Sequence, residues 1–246
     1  MKIGVITLFP ESIEAIKSKE SFGLVGKAFE EGKAELFIEN LRESGLGKHQ
    51  VVDDTPYGGG DGMVLKPEPI EEAFNKLLRK MDLNRSEVKA LYTCPSGELW
   101  TQKRAELIVK EGEKVRGLII LCGRYAGADN RVIEELFDER VSIGPFILNG
   151  GELPALCIME TIVRILPGVL GNSESIRMDS FSSGLLAVEA EPYTKPQSWK
   201  GLEVPEVLLS GDHKKIEGYR AQRSQKRSLE WLKKASEAVK SCLGEK

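Results

Sequence analysis

Short apolar runs alternate with helical patterns over the first 170 or so residues, and this alternation constrains the fold of the 246-residue chain more than any other feature. Strands are predicted over 2–8, 34–40, 88–93, 117–122 and 141–144. Helices are predicted over 10–32, 65–81, 99–113, 128–140 and 152–168, with Gly23 and Gly26 as breaks in the first and Asp129 at the start of the fourth. Strands and helices that alternate at this spacing favour a parallel sheet covered by helices, so the sequence predicts an α/β fold.

Three loops that contain glycine follow predicted strands, at 94–97 (CPSG), 122–129 (CGRYAGAD) and 143–151 (IGPFILNGG). In parallel sheets, ligands bind at the carboxyl ends of the strands, where glycine lets backbone approach a ligand closely. The loops match neither GxGxxG nor a P-loop, which argues against a dinucleotide-binding oxidoreductase. They therefore predict a ligand site of another class at this edge of the sheet.

Charge is segregated along the chain. The net charge is −3, yet residues 214–240, which are predicted to be helical, carry nine Lys and Arg against three Glu. Two interpretations are equally open, a solvated helix face or a surface that binds phosphates. No apolar run is long enough to span a membrane. Four separated cysteines and two histidines argue against a zinc site and indicate reduced thiols in a cytoplasmic protein.

Two polar segments interrupt the pattern. Residues 172–184 have neither strand nor helix periodicity and are predicted to be a flexible linker between an N-terminal domain, 1–171, and a C-terminal domain, 185–246. Residues 53–65 contain four glycines between positions 58 and 62. This glycine-rich loop is interpreted either as a flexible surface turn or as a loop that closes over a substrate.

Eight motifs in fixed order carry a resemblance to a known family: LFPE, VDDTPYGGGDGM, CGRYAGAD, SIGPFILNGGELPA, LPGVLG, DSFSSGLL, PYTKP and LEVPEVLLSGDH. From Met1 to beyond Arg227, the chain closely resembles the bacterial tRNA (guanine-N1)-methyltransferases. The resemblance implies a SPOUT-type N-terminal domain with a trefoil knot and a small, mainly helical, basic C-terminal domain that binds tRNA. It also implies a cytoplasmic homodimer with active sites at the subunit interface and methylation of guanosine 37 of tRNA.

The cofactor implied by the resemblance is S-adenosylmethionine, held mostly by backbone groups of the knot loops. The matching cofactor-binding positions are Thr93, Pro95, Gly97, Gly123, Tyr125, Ile143, Gly144, Pro145, Phe146, Ile147, Leu148, Gly150, Gly151 and Pro154. The positions expected to contact tRNA are Asp54, Tyr57, Gly59, Ser180, Lys214, Arg220 and Arg223.

The resemblance also implies the catalytic groups. Guanine N1 carries a proton, so methyl transfer needs a base, and the family role falls on Asp179, which reaches in from the partner chain. Arg164 is the matching guanidinium that stabilises charge on guanine O6. No protein metal site is expected; whether Mg²⁺ takes part is left open.

The sequence departs from the family at four positions where relatives carry an acid: Ala126, Pro145, Met178 and Ala187. The missing acids would lie near the methionine end of the cofactor and the target base. An alternative hypothesis is therefore a tRNA-binding family member with attenuated catalysis.

Overall fold

The computed structural model describes residues 1–112, 114–171, 179–182 and 187–242. It divides into two compact units, Met1–Gly171 and Asn172–Lys246. Most of the predicted linker 172–184 lies outside the described residues, as does Met178.

A five-stranded parallel sheet forms the centre of the first unit, which confirms the predicted α/β fold. Its strands are β1 (Lys2–Thr7), β2 (Glu35–Asn40), β5 (Val88–Leu99), β6 (Gly117–Cys122) and β7 (Glu139–Ser142), and they lie in the order β2-β1-β6-β5-β7. All six residues of β6 are buried, as expected for a purely apolar central strand. Between β2 and β5, a two-stranded hairpin pairs β3 (Asp53–Asp54) with β4 (Val64–Leu65).

Helices connect the strands of the first unit: α1 (Pro10–Glu14), α2 (Lys19–Glu30), α3 (Pro67–Met81), α4 (Gln102–Lys110), α5 (Asn130–Leu136) and α6 (Glu152–Arg164). Three 3₁₀ turns lie at Ala15–Lys17, Leu41–Ser44 and Arg85–Glu87. The sequence explains several of their starts, because Thr101 caps α4 and Asp129 caps α5 through side-chain oxygens that accept backbone N–H groups.

Helix α3 shows how the core forms. Its apolar stripe is fully buried and includes Ile70, Phe74, Leu77 and Met81. Phe74 meets Phe137 edge to face with ring centroids 5.6 Å apart. Each such buried side chain contributes about 1.5–3 kcal/mol relative to an exposed one, so this stripe fixes α3 on the sheet.

Gly23 breaks the first predicted helix, as expected, but Gly26 does not. Gly23 has φ 50° and ψ −116°, outside the helical region, whereas Gly26 continues α2. Gly26 is needed for space, because a Cβ there would lie 2.3 Å from the backbone oxygen of Ser18.

Several predicted boundaries were wrong, among them the end of the helix predicted over 152–168, which is at Arg164, and two that bear on the site. The strand predicted to end at 93 continues to Leu99, and its pairing with β7 shifts register between Thr93 and Glu98, so residues 94–97 bulge out of one strand. The helix predicted over 128–140 ends at Leu136, and β7 begins at Glu139. The Asp138 carboxylate accepts the Ala90 backbone N–H at 2.6 Å and thereby ties the segment after α5 to the sheet.

The second unit contains a small hairpin, β8 (Ser198–Trp199) with β9 (Leu202–Glu203), a short helix α7 (Glu206–Leu209) and a long helix α8 (His213–Cys242). The helical prediction for 214–240 is thus met by one continuous helix. The segment before the hairpin lies along α8, where Ser224 Oγ donates to the Val188 carbonyl at 2.7 Å and the Val188 N–H donates to Ser228 Oγ at 2.9 Å. Among the described helices, none has the length and apolarity to cross a membrane.

Candidate active site

A cavity of about 360 Å³ opens where β5, β6 and β7 end at the same edge of the sheet. Its three walls are the bulge 94–97, the loop 123–128 that follows β6, and the loop 143–151 that follows β7. The volume is in the range of small-molecule and cofactor sites. The predicted ligand site therefore has a matching cavity.

Glycines let the walls pack closely behind this cavity. A Cβ at Gly151 would lie 2.0 Å from Thr93 Oγ1 and 2.6 Å from the backbone nitrogen of Gly123. A Cβ at Gly123 would lie 2.6 Å from the Thr93 carbonyl oxygen. The Gly151 N–H donates to the Gly123 carbonyl at 2.8 Å. The walls therefore pack directly on one another here, through main-chain atoms and the Thr93 hydroxyl.

A buried carboxylate joins two of the walls from behind. Glu152, the first residue of α6, is only 5% exposed and accepts a hydrogen bond from Thr7 Oγ1 at 2.7 Å. Its other oxygen accepts Arg124 Nη2 at 2.8 Å, and Arg124 Nη1 donates to the Asn149 carbonyl at 3.2 Å. The guanidinium carbon of Arg124 stands 4.1 Å from the centre of the Phe9 ring. Arg124 thus connects the loop after β6 to the loop after β7.

Tyr125 is held in a left-handed conformation, with φ 56°, although it is a bulky residue. Such a conformation is uncommon outside glycine and asparagine and costs about 1–3 kcal/mol. The neighbouring backbone maintains it, because Arg124 forms an antiparallel bridge with Gly150 and the Gly127 N–H donates to the Arg124 carbonyl at 3.0 Å. The half-exposed Tyr125 is thereby fixed at the cavity wall.

The glycine-rich loop begins and ends beside the same cavity. Three backbone hydrogen bonds of 2.9 Å join residues 63–65 to 126–129: Ala126 N–H to Met63, Leu65 N–H to Gly127, and Asp129 N–H to Leu65. The tip is exposed, and Tyr57 is 99% accessible. The base of the loop is therefore continuous with the wall after β6.

The charged residues that line the cavity, among the described residues, are Arg124 and Arg140. Arg140 lies beside Tyr92 in the register of β7 with β5, so the two side chains share a face of the sheet. Burial raises the pKa of the Tyr92 phenol, and the Arg140 guanidinium opposes that rise. Arg140 escaped the sequence prediction because it was assigned to a helix, whereas it lies on β7, whose last two residues, Val141 and Ser142, are buried.

The predicted cofactor residues gather at this cavity, with two exceptions. The lining includes Thr93, Pro95, Gly123, Tyr125, Ile143, Gly144, Phe146, Ile147, Leu148, Gly150, Gly151 and Pro154. Gly97 and Pro145 are not among the lining residues. Gly97 packs closely against β7, since a Cβ there would lie 2.3 Å from the Val141 backbone nitrogen.

The two predicted catalytic residues lie in different units. Arg164 is the last residue of α6 and is half-buried. Asp179 belongs to the second unit, where its backbone carbonyl accepts the Ser182 N–H at 3.2 Å. Their roles remain predictions.

The residues predicted to contact tRNA differ in how they are held. Asp54 accepts the Thr55 N–H at 2.9 Å and lies 3.2 Å from Lys66 Nζ, and these contacts lower its pKa. Ser180 Oγ accepts the Glu189 N–H at 3.1 Å. Tyr57 and Gly59 lie on the exposed glycine-rich loop, with Gly59 at φ 79°.

Three basic residues on α8 fall into two groups. Lys214 and Arg220 are exposed. Arg223 forms a bidentate ion pair with Glu191, which lowers the pKa of Glu191 to about 2. Arg223 therefore contributes to the second unit itself, whereas Lys214 and Arg220 present their charge to solvent.

No cluster of three or more His, Cys, Asp or Glu side chains suited to a metal ion occurs within 1–112, 114–171, 179–182 and 187–242. Three cysteines in that part of the chain, Cys94, Cys122 and Cys157, are free thiols.

Comparison with known proteins identifies the family. The profile of tRNA (Guanine-1)-methyltransferase TrmD matches residues 1–234. Among curated relatives, a tRNA (guanine-N(1)-)-methyltransferase of Bacillus subtilis is 46% identical over 228 residues, which cover 93% of this chain and 89% of the relative. One of Anoxybacillus flavithermus is 43% identical over 234 residues, 95% and 90% of the two chains. One of Chlorobaculum tepidum is 41% identical over 230 residues, 94% of each. The chain therefore belongs to the tRNA (guanine-N1)-methyltransferase family.

Proposed function

We propose that this protein transfers a methyl group from S-adenosylmethionine to N1 of guanosine 37 in tRNA. The observation that carries the proposal is the glycine-lined cavity at the ends of β5, β6 and β7, in a chain that matches the family profile over residues 1–234. The relatives are named for the same methylation of guanine N1. The position in the tRNA comes from the family resemblance.

The cavity residues suit an adenosine ligand. At Gly123 and Gly151 a Cβ would lie 2.6 Å from backbone atoms of the neighbouring wall. With no side chains there, main-chain donors and acceptors can reach polar edges of a base and ribose. Phe146, Ile147 and Leu148 expose apolar surface at the wall after β7. These residues and Gly151 would hold S-adenosylmethionine, which supplies an electrophilic methyl group on a sulfonium.

Two side chains of this protein would act on the guanine, one as a general base and one as a stabiliser of negative charge. Asp179 of the partner subunit accepts the proton from N1, because the N1 lone pair is otherwise unavailable for attack. Arg164 stabilises the negative charge that develops on O6 as that proton leaves. Holding the guanine beside the methyl group lowers the rest of the activation barrier, because the two reacting atoms are already positioned for the transfer.

The finer architecture follows the same resemblance. We propose a homodimer with shared active sites, a SPOUT trefoil knot that includes the cavity loops, a C-terminal tRNA-binding domain and a cytoplasmic location. Exposed apolar side chains beside the cavity, Ile147 at 80% and Leu153 at 59%, favour coverage by a second copy. Lys214 and Arg220 on α8 would contact tRNA phosphates, and Asp54, Tyr57, Gly59 and Ser180 would lie near the bound RNA. Mg²⁺ dependence is open and belongs in the same assay.

A single-turnover assay tests the proposal. Radiolabelled S-adenosylmethionine and a tRNA transcript with G36 and G37 should yield 1-methylguanosine at position 37, with and without Mg²⁺. Asp179→Asn should abolish the methylation while cofactor affinity, measured by calorimetry, stays at the parent value. A tRNA with A37 is the control substrate. Methylation by Asp179→Asn at the parent rate would remove Asp179 from the role of base.

The alternative, a tRNA-binding member with attenuated catalysis, predicts tRNA affinity without methylation. Its motivation is the set of replaced acids. Ala126 lines the cavity, whereas Pro145 does not, and the Ala187 carbonyl accepts the Phe181 N–H. The names of the relatives favour the enzyme, and the same assay separates the two hypotheses.

A further inference from the structure

The cavity lining is positively charged, whereas a purely cationic ligand would favour a negatively charged lining. The described lining residues include two arginines and no carboxylate. S-adenosylmethionine carries two positive groups, the sulfonium and the amine, and one negative group, the methionine carboxylate. An arginine in this cavity therefore has one complementary group on the ligand.

The two arginines are not equivalent. The charge of Arg124 is already balanced by the buried Glu152, 2.8 Å away. The guanidinium of Arg140 donates from Nη2 to Asn130 Oδ1, a neutral amide oxygen. Within the described part of the chain, no carboxylate oxygen lies within the 4.0 Å of an ion pair with Arg140. Arg140 is thus the cation in the cavity without an acidic partner there.

The nearest acids along the chain are engaged elsewhere. Glu139 points to the opposite face of the sheet, as successive strand residues do, and pairs with Lys89 at 2.6 Å and with Arg104. Glu134 accepts Asn130 Nδ2 at 2.6 Å. A half-buried guanidinium in a cleft strongly favours an anion, because the local dielectric is lower than in water.

Arg140 also has a defined place in the cavity, beside the loop that follows β6. Tyr92, its neighbour on β5, accepts the Ala128 N–H through its hydroxyl at 3.2 Å. A Cβ at Gly127 would lie 3.4 Å from the same hydroxyl. The Arg140 guanidinium itself donates to Asn130 at the start of α5, so it lies where the cavity loop 123–128 meets that helix.

We propose that Arg140 recognises the methionine carboxylate of the bound cofactor and so sets the cofactor specificity of this cleft. The inference rests on the proposed function. It assigns a role to a residue outside the predicted site, and it makes a guanidinium the group that recognises the carboxylate of the methionine moiety.

The test compares two ligands that differ by one group. Affinities for S-adenosylmethionine and for decarboxylated S-adenosylmethionine are measured by calorimetry on the parent protein, Arg140→Gln, Arg140→Lys and Arg116→Gln. Arg116 is the matched control, because it pairs with Glu87 at the opposite edge of the sheet. Loss of a charge-assisted hydrogen bond should weaken S-adenosylmethionine binding to Arg140→Gln by roughly ten- to a hundredfold.

The decarboxylated ligand should respond in the other direction. It carries only positive charge, so Arg140→Gln should keep or raise its affinity. Arg140→Lys should retain part of the preference for the carboxylate, and Arg116→Gln should match the parent. An equal loss for both ligands overturns the inference, as does unchanged S-adenosylmethionine affinity. If Arg140→Gln weakens tRNA binding alone, the anion is an RNA phosphate and the inference is wrong.

A second variant tests the inference with Arg140 in place. Asn130→Asp puts a carboxylate on the hydrogen-bond partner of Arg140, where it competes with the ligand carboxylate. It should weaken S-adenosylmethionine binding and spare the decarboxylated ligand; unchanged affinity for both contradicts the inference. Failure of the parent protein to bind S-adenosylmethionine at millimolar concentration would overturn the proposed function as well, which distinguishes that failure from one confined to Arg140.

Discussion

Replacement of Gly151 by alanine should damage the cavity through steric contact alone. Gly151 has φ −83° and ψ 0°, which any residue adopts, so the substitution introduces no backbone strain of its own. The added Cβ would lie 2.0 Å from Thr93 Oγ1, 2.6 Å from the Gly123 nitrogen and 2.7 Å from the Cys122 Cα, where ordinary contacts begin at 3.4 Å.

The surroundings leave little room for relief. Thr93 Oγ1 donates to the Leu121 carbonyl at 3.0 Å and accepts the Gly123 N–H at 3.2 Å, so rotation of Thr93 breaks both hydrogen bonds. The other two contacts are backbone atoms of β6 and its loop. Overpacking costs about 1–3 kcal/mol, and the loss of the Gly151 to Gly123 hydrogen bond about 1 kcal/mol more. For a unit of this size we expect the melting temperature to fall by roughly 5–10 °C.

Calorimetric melting measures the loss of stability, and titration with S-adenosylmethionine measures the loss of cofactor affinity. Cofactor affinity should fall at least about tenfold, because the helix α6 must move away from the loop after β6. Gly218→Ala is the control, since a Cβ there meets nothing within 4 Å and the site is exposed on α8. It should raise stability slightly, by up to about 1 kcal/mol, and leave cofactor affinity unchanged. A Gly151→Ala protein that melts and binds like the parent would refute the steric argument.

Three further outcomes are expected. Glu152→Gln should lower stability by about 1–3 kcal/mol and weaken cofactor binding, because Arg124 loses its buried partner but still reaches solvent. Glu87→Gln, which removes the more exposed ion pair with Arg116, is the control. Equal effects of the two substitutions would contradict a special role of Glu152. Arg220→Gln should weaken tRNA binding and reduce its salt dependence without a change in melting, whereas Arg223→Gln should lower the melting temperature of the second unit; the reverse pattern would show that Arg223 is the free phosphate contact. Because Arg223 depresses the Glu191 pKa from 4.5 to about 2, the pair contributes stability above about pH 4.5 that is lost as pH falls towards 2; melting curves between pH 6 and 2 should show this loss, and Glu191→Gln should flatten it.

The sequence predicts the strands and the parallel sheet well because their signals are local. The run 117–122 is wholly apolar, and the structure buries all six of its residues. Asp129 marks the start of α5 because an N-cap needs only the three residues that follow it. The cavity loops were equally predictable, since each follows a strand and contains glycine.

The features that the sequence did not predict depend on contacts between residues that are distant in sequence. The bulge 94–97 exists because Glu98 and Leu99 pair again with β7, which no local pattern in 88–99 indicates. Arg140 lies on a strand because α5 ends at Leu136, and Asp138 then accepts a hydrogen bond from Ala90 of β5, 48 positions earlier in the chain. The close approach of Gly97 to the backbone of Val141 also joins residues that are distant in sequence.

The hydrogen bond between Thr7 and Glu152 has a consequence for the order in which the protein folds. The two residues are 145 positions apart, so the contact closes a loop that contains most of the first unit. Contacts of such separation form late, because the entropy of closing the loop must be offset by structure already present. During synthesis, β1 is complete long before α6 emerges, and the ligand cavity cannot exist until roughly 150 residues have left the ribosome. Assembly of the cavity is therefore a late event in the folding of the first unit.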